Sequence, residues 1–205
     1  MTLTAKSLST SFWGWSFRFE LDEIKRAYKA AREASDRDRE RIEREWQLLE
    51  AEVEAGRASL TDEDENGQVV YDRCEHVGEI QSEIDRVLSI YREAFTIVLY
   101  HFWERQLMAR MKVKRYPDDA AVFAFLKKSG IDPDEPELTA LRLAANVAKH
   151  SEGTSADKLF KLRPDLFDDE AMMKWKEAPS HEHLKITNDA LDAFFEAVKR
   201  SGPPR

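Results

Sequence analysis

The 205-residue sequence predicts an all-α protein, a helical bundle built on two long antiparallel helices followed by shorter ones. Three observations carry that prediction. Gly and Pro number only seven each, charged residues make up 35% of the chain, and apolar residues recur at three- and four-residue spacing over long stretches. Hydrophobic residues at 42% suffice for one core in a chain of this length, so one helical domain over 1–205 is expected.

The first long helix is expected over 21–54. Ile24, Tyr28, Ala31, Ser35, Ile42, Trp46, Leu49 and Val53 form its inner face, and the stretch from Ser35 to Arg44 is nearly all charge. Before it, Trp13, Trp15, Phe17 and Phe19 alternate with other residues, a spacing that suits a short edge strand or a hook packed on the bundle or on a second copy. Residues 56–72 read as an acidic, turn-rich linker centred on Asn66 and Gly67. The second long helix is expected over 74–111, with Val77, Ile80, Ile84, Val87, Tyr91, Phe95, Val98, Leu99 and Phe102 on its apolar side. A connection of this size most simply makes the two long helices antiparallel.

Shorter helices are expected over 118–165. Asp118 and Asp119 open one that closes at Gly130, a second runs from Glu137 to about His150, and a third covers Ala156 to Leu162 before Pro164. The stretch from Phe167 to Leu184 reads as irregular, with room for a short strand. Thr187 or Asn188 caps a last helix over 187–199, with Leu191, Phe194, Phe195 and Val198 inward, and Ser201 to Arg205 read as a loose tail.

Composition also narrows function. No long apolar run follows a basic segment, so neither a signal peptide nor a membrane span is expected. The single cysteine, Cys74, excludes an internal disulfide and a cysteine-based zinc site, and a cytoplasmic protein is the expectation. A net charge of -8 argues against a surface coated for non-specific nucleic-acid binding and leaves room for a local basic cleft.

Three constellations carry candidate chemistry. Asp62, Asp64, Asn66, Gly67, Gln68 and Val69 follow the first eight positions of a calcium-binding loop, but its twelfth position is Arg73, where a bidentate Glu closes the shell. A solvated acidic turn is therefore the expectation there. On the second long helix, His101 and Arg105 share a face with Glu104 beside them, a trio able to orient an imidazole, or an ordinary surface ion pair. No pair of histidines has metal-ligand spacing beside a carboxylate, so neither metal nor cofactor is expected.

The third constellation runs from Arg142 to Gly153. Arg142, Asn146 and His150 fall within about 80° of one another on a helix, with Lys149 beside them, which gives one polar, cationic face. Asn146 and His150, with Val147, Ala148 and Lys149 between them, resemble the polar residue and the His of the HEPN superfamily (higher eukaryotes and prokaryotes nucleotide-binding domain). Those helical bundles are built on two long antiparallel helices followed by shorter ones. The family's Arg position falls on Ala145, and Arg142 is one turn earlier.

The resemblance implies a metal-independent RNA-cleaving or RNA-binding protein of toxin-antitoxin or phage-defence type, working as a homodimer and meeting RNA and an antitoxin or other protein partner. It implies His150 as acid/base, Arg142 and Lys149 as phosphate contacts and Asn146 as an orienting group, with His101, Glu104 and Arg105 lining the same groove. The residues alone fit a second reading equally: a non-catalytic helical protein of the same fold that dimerises or binds a partner. There the alanines allow close helix approach, and Lys149 and His150 complement the negative end of the helix dipole.

Overall fold

The computed structural model describes residues 5–150 and 154–203. Ser151, Glu152 and Gly153, at the end of the Arg142 run, lie outside the described residues, and so do 204 and 205 of the expected tail. The fold is all-α. Helices α1 (Ala5–Glu54) and α2 (Arg73–Met111) are followed by α3 (Asp119–Lys128), α4 (Glu135–Lys149), α5 (Thr154–Leu162), α6 (Asp169–Trp175) and α7 (Asn188–Ser201). A two-stranded antiparallel hairpin, β1 (Thr61–Glu63) and β2 (Val69–Asp72), joins the long helices. Among the described residues no helix is long and apolar enough to cross a membrane.

The chain forms two compact units. One comprises the chain up to Tyr28 and from Arg92 onward; the other is Lys29–Tyr91. In the first, Phe17 packs at a tilt against Phe102 with ring centroids 5.1 Å apart, and Tyr28 meets Phe95 at 5.4 Å. Rising numbers on α1 meet falling numbers on α2, so the two helices are antiparallel here. Trp103, Leu126, Leu138, Leu141, Leu191 and Phe194 are almost wholly buried around this contact. Fully buried Ala140, Ala144 and Ala145 let α4 pack closely on its neighbours.

Side chains open the shorter helices, at Asp118 and Thr187 as expected and at Asp134 in a helix that starts at Glu135 rather than at the expected Glu137. Asp118 accepts from the Ala121 amide, Asp134 from Glu137 and Thr187 from Ala190, so each satisfies an amide that the first helical turn leaves unpaired. Gly130 follows α3 with φ of +77°, a conformation that a Cβ disfavours.

Four expectations are corrected. The N-terminal aromatics lie on α1, not on a strand or hook, because spacing by four outweighs the alternation. Trp13, Phe17 and Leu21 take one face of α1, and Trp15 stacks on Phe19 on an exposed face. Residues 61–72 form a hairpin, since Asp64 Oδ1 accepts from the amides of Asn66 (2.8 Å) and Gln68 (2.9 Å) and Gly67 takes a positive φ. The stretch 167–184 contains α6, capped by Asp168, and one isolated bridge between Phe167 and Leu184. The start of the expected tail is core: Ser201 is 3% exposed and accepts the Trp103 Nε1–H at 2.8 Å, and Gly202 lies against the Phe17 ring.

In the second unit, Arg39 pairs with Asp85 across the helices. Exposed pairs along α1, such as Arg32 with Asp36 and Arg41 with Glu45, occupy the charged stretch. Each is worth at most a few tenths of a kcal/mol. The calcium-like loop is committed elsewhere. Arg73 forks onto the Asp62 carboxylate at 3.0 and 3.1 Å, and Asp72 caps α2 through the amides of Cys74 and Glu75.

Candidate functional site

The site is built where the C-terminal end of α4 meets the last third of α2 and the start of α3. Helix α4 stops at Lys149 because His150 turns extended, its amide shared between the carbonyls of Asn146 and Val147. Lys149 and His150 are both exposed, and Asn146 is half-buried. Ala145, where the family pattern has its Arg, is fully buried, so the cationic character of this face rests on Arg142 and Lys149 instead.

Glu104 organises the side of the site that α2 contributes. Its Oε1 accepts the Tyr100 hydroxyl at 3.1 Å, and its Oε2 lies 2.9 Å from His101 Nδ1. That contact assigns the proton to Nδ1 and leaves Nε2 as an acceptor. Lys149 Nζ lies 3.4 Å from His101 Nε2 and 5.8 Å from the centroid of the Tyr100 ring. A carboxylate, an imidazole and an ammonium thus follow one another across α2 and α4. His101 is an exposed residue.

A second group borders the first. Arg142 directs Nε (3.1 Å) and Nη2 (2.6 Å) onto Asp119 Oδ2, and Tyr116 donates to Asp119 Oδ1 at 3.4 Å. The rings of Tyr100 and Tyr116 are 6.3 Å apart. Burial, reinforced by the Glu104 charge, raises the Tyr100 phenol above the ordinary tyrosine range, and Arg142 opposes that shift. Burial and Asp119 do the same to Tyr116. Both phenols remain neutral donors at physiological pH.

The structure therefore brings Lys149, His101 and Glu104 into one chain of contacts and holds Arg142 on Asp119, which Tyr116 also contacts. Arg105 leaves the trio expected from sequence. It reaches Glu20 on α1 at 3.2 Å, because its one-residue offset from Glu104 turns it toward the other long helix. Asp119 and Tyr116 are the members that sequence reasoning missed, whereas Tyr100 opens the run that holds His101 and Glu104. One signal was present: Asp118 alone caps α3, which leaves the second carboxylate of that Asp-Asp pair free for another role.

Two further histidines fasten the loop before α7. His181 Nε2 lies 2.8 Å from Glu93 Oε2, and buried His183 sits between Ser180 Oγ and Glu177 Oε2, each at 2.9 Å. Among the described residues no cluster of three or more His, Cys, Asp or Glu side chains is placed to hold a metal. The chain matches no family model, no curated protein and no solved structure.

Proposed function

We propose that the protein is HEPN-like and acts on RNA without a metal, through the cationic end of α4. The observation that carries this reading is the contact of Lys149 with His101 Nε2, beside exposed His150 and with His101 held by Glu104. Transfer of an RNA phosphodiester to its own 2'-hydroxyl needs a base for that hydroxyl, an acid for the leaving 5'-oxygen and positive charge on the phosphorane-like transition state. His150 is the acid/base group, Lys149 the phosphate contact nearest the imidazole, and Asn146 an orienting donor. Arg142 adds charge once its carboxylate partner releases it. Such a protein belongs with toxin-antitoxin or phage-defence components, where an antitoxin partner restrains it.

The experiment is incubation of the purified protein with total RNA in chelator, beside His150→Ala and Lys149→Ala. Cleavage by the parent that falls at least tenfold in both variants supports the reading. No cleavage and no binding by the parent overturns it, and so does cleavage that both variants retain.

A specific observation favours a second reading, a non-catalytic partner-binding protein of the same fold. Arg142 is three-quarters buried in its ion pair with Asp119, and Ala145 sits in the core. The pattern's Arg position is thus spent on packing, and its nearest replacement is held in an ion pair. Stable RNA binding without cleavage, or capture of a protein partner that His150→Ala leaves intact, selects this reading.

A further inference from the structure

The second unit leaves its own apolar seam half filled. On α2, Ile80, Ile84, Val87 and Tyr91 recur at spacings of four, three and four, the pattern of a helix that packs against another helix. In this unit Ile42 and Leu88 are buried, yet Ile80, Ile84 and Val87 are only half-buried and Ile90 is 57% exposed. A cleft of about 240 Å³ runs along the seam between Asp38, Arg41 and Ile42 on α1 and Ile80, Glu83 and Ile84 on α2. Two helices form one layer, and a layer with an apolar stripe requires a second to cover it.

The charges identify the cover. The pairing of Arg39 with Asp85 fixes the level of α1 against α2 in this unit. Because the helices are antiparallel, Arg41 stands level with Glu83, and both line the cleft. At that level one wall of the seam is cationic and the other anionic. A twofold axis parallel to the helices exchanges the walls: α1 of one copy then lies on α2 of the other, and Arg41 meets the partner's Glu83 twice per dimer. The surface is complementary to itself.

We propose that the Lys29–Tyr91 hairpin associates with the same hairpin of a second copy of this chain and completes an antiparallel four-helix bundle over Ile80, Ile84 and Val87. This inference rests on the second unit alone and is independent of any action on RNA. Arg41, which pairs with Asp38 at 3.4 Å and Glu45 at 3.3 Å within one chain, exchanges those exposed contacts for one across the interface.

Sedimentation equilibrium of the full chain tests it, with circular dichroism confirming that each variant keeps its helices. The parent is expected to be a dimer at micromolar concentration. Arg41→Glu places like charges together twice per dimer and is expected to weaken association by about tenfold or more. Arg41→Glu combined with Glu83→Arg restores opposite charges and is expected to recover association to within about threefold of the parent. Ile84→Asp abolishes the dimer. A monomeric parent at about 100 µM, far above the micromolar dissociation constants of ordinary specific interfaces, overturns the proposal. So does a dimer that withstands both Arg41→Glu and Ile84→Asp, or a double charge swap that stays as weak as Arg41→Glu alone.

Discussion

Replacing Asp119 with Asn asks whether Arg142 is a structural cation or a phosphate ligand held in reserve. Two nitrogens of Arg142 converge on Asp119 Oδ2 at 3.1 and 2.6 Å, and the two side chains are 26% and 24% exposed. Opposite charges about 4 Å apart attract by about 4 kcal/mol at an effective dielectric constant of about 20. Desolvation and side-chain ordering consume much of that, and hydrogen bonds to charged groups contribute about 1.5–3 kcal/mol net. Residual exposure places this pair at the lower end, about 1.5–2 kcal/mol. In a chain of this size a loss of about 1 kcal/mol lowers Tm by about 2–4 °C, so Asp119→Asn is expected to lower it by about 3–8 °C. Asp119 also lies in the first turn of α3, where its charge favours the helix dipole by about 0.3–1 kcal/mol. A double-mutant cycle with Arg142→Gln removes that contribution and isolates the pair. Coupling below about 0.3 kcal/mol would refute a stabilising bond. The same variant frees a guanidinium. If Arg142 contacts RNA phosphate, fluorescence anisotropy with labelled single-stranded RNA at several salt concentrations shows tighter binding and a log–log salt slope steeper by about 0.7. An unchanged slope removes Arg142 from the RNA-contacting set.

Two other outcomes follow from the geometry. A Cβ on Gly202 would lie 2.4 Å from Phe17 Cε1 and 2.8 Å from Cδ1, so Gly202→Ala forces the ring or the chain to move and is expected to cost about 1–3 kcal/mol in denaturant unfolding; an unchanged midpoint contradicts that packing. Tyr100 and Tyr116 are held above the ordinary phenol range, so the folded protein keeps protons that the unfolded chain loses above about pH 10. Their contribution to stability is fully present below that pH and falls as pH rises beyond it. Ultraviolet titration should leave these two phenols un-ionised until the fold is lost, and the reasoning fails if all five tyrosines ionise together in the native state.

Helix boundaries were legible wherever a local rule acts alone. Asp118, Thr187 and Gly130 each mark an end because one side chain or one positive φ satisfies the terminal turn. The inner face of α7 was legible for a related reason: Leu191, Phe194, Phe195 and Val198 repeat at helical spacing. Legibility failed where two periods competed. Trp13, Trp15, Phe17 and Phe19 satisfy both alternation and spacing by four, and only Phe102 against Phe17 decides between them. It failed again where the partner is distant in sequence, as Ser201 is from Trp103 and Arg105 from Glu20. Within the candidate site, the sharing of one face by Arg142, Asn146 and His150 was readable. The carboxylate of Asp119, 23 residues before Arg142, was not, because no local pattern announces a cross-helix ion pair.

The adjacent acids at 118 and 119 divide their labour in a way that makes one property of this surface depend on another. Asp118 holds the first turn of α3 closed by accepting from Ala121, and Asp119, in that same turn, holds Arg142. Opening the turn displaces both at once. The freedom of the Arg142 guanidinium is consequently tied to the integrity of a single helical turn. Terminal turns are as a class opened more readily than a whole domain is unfolded.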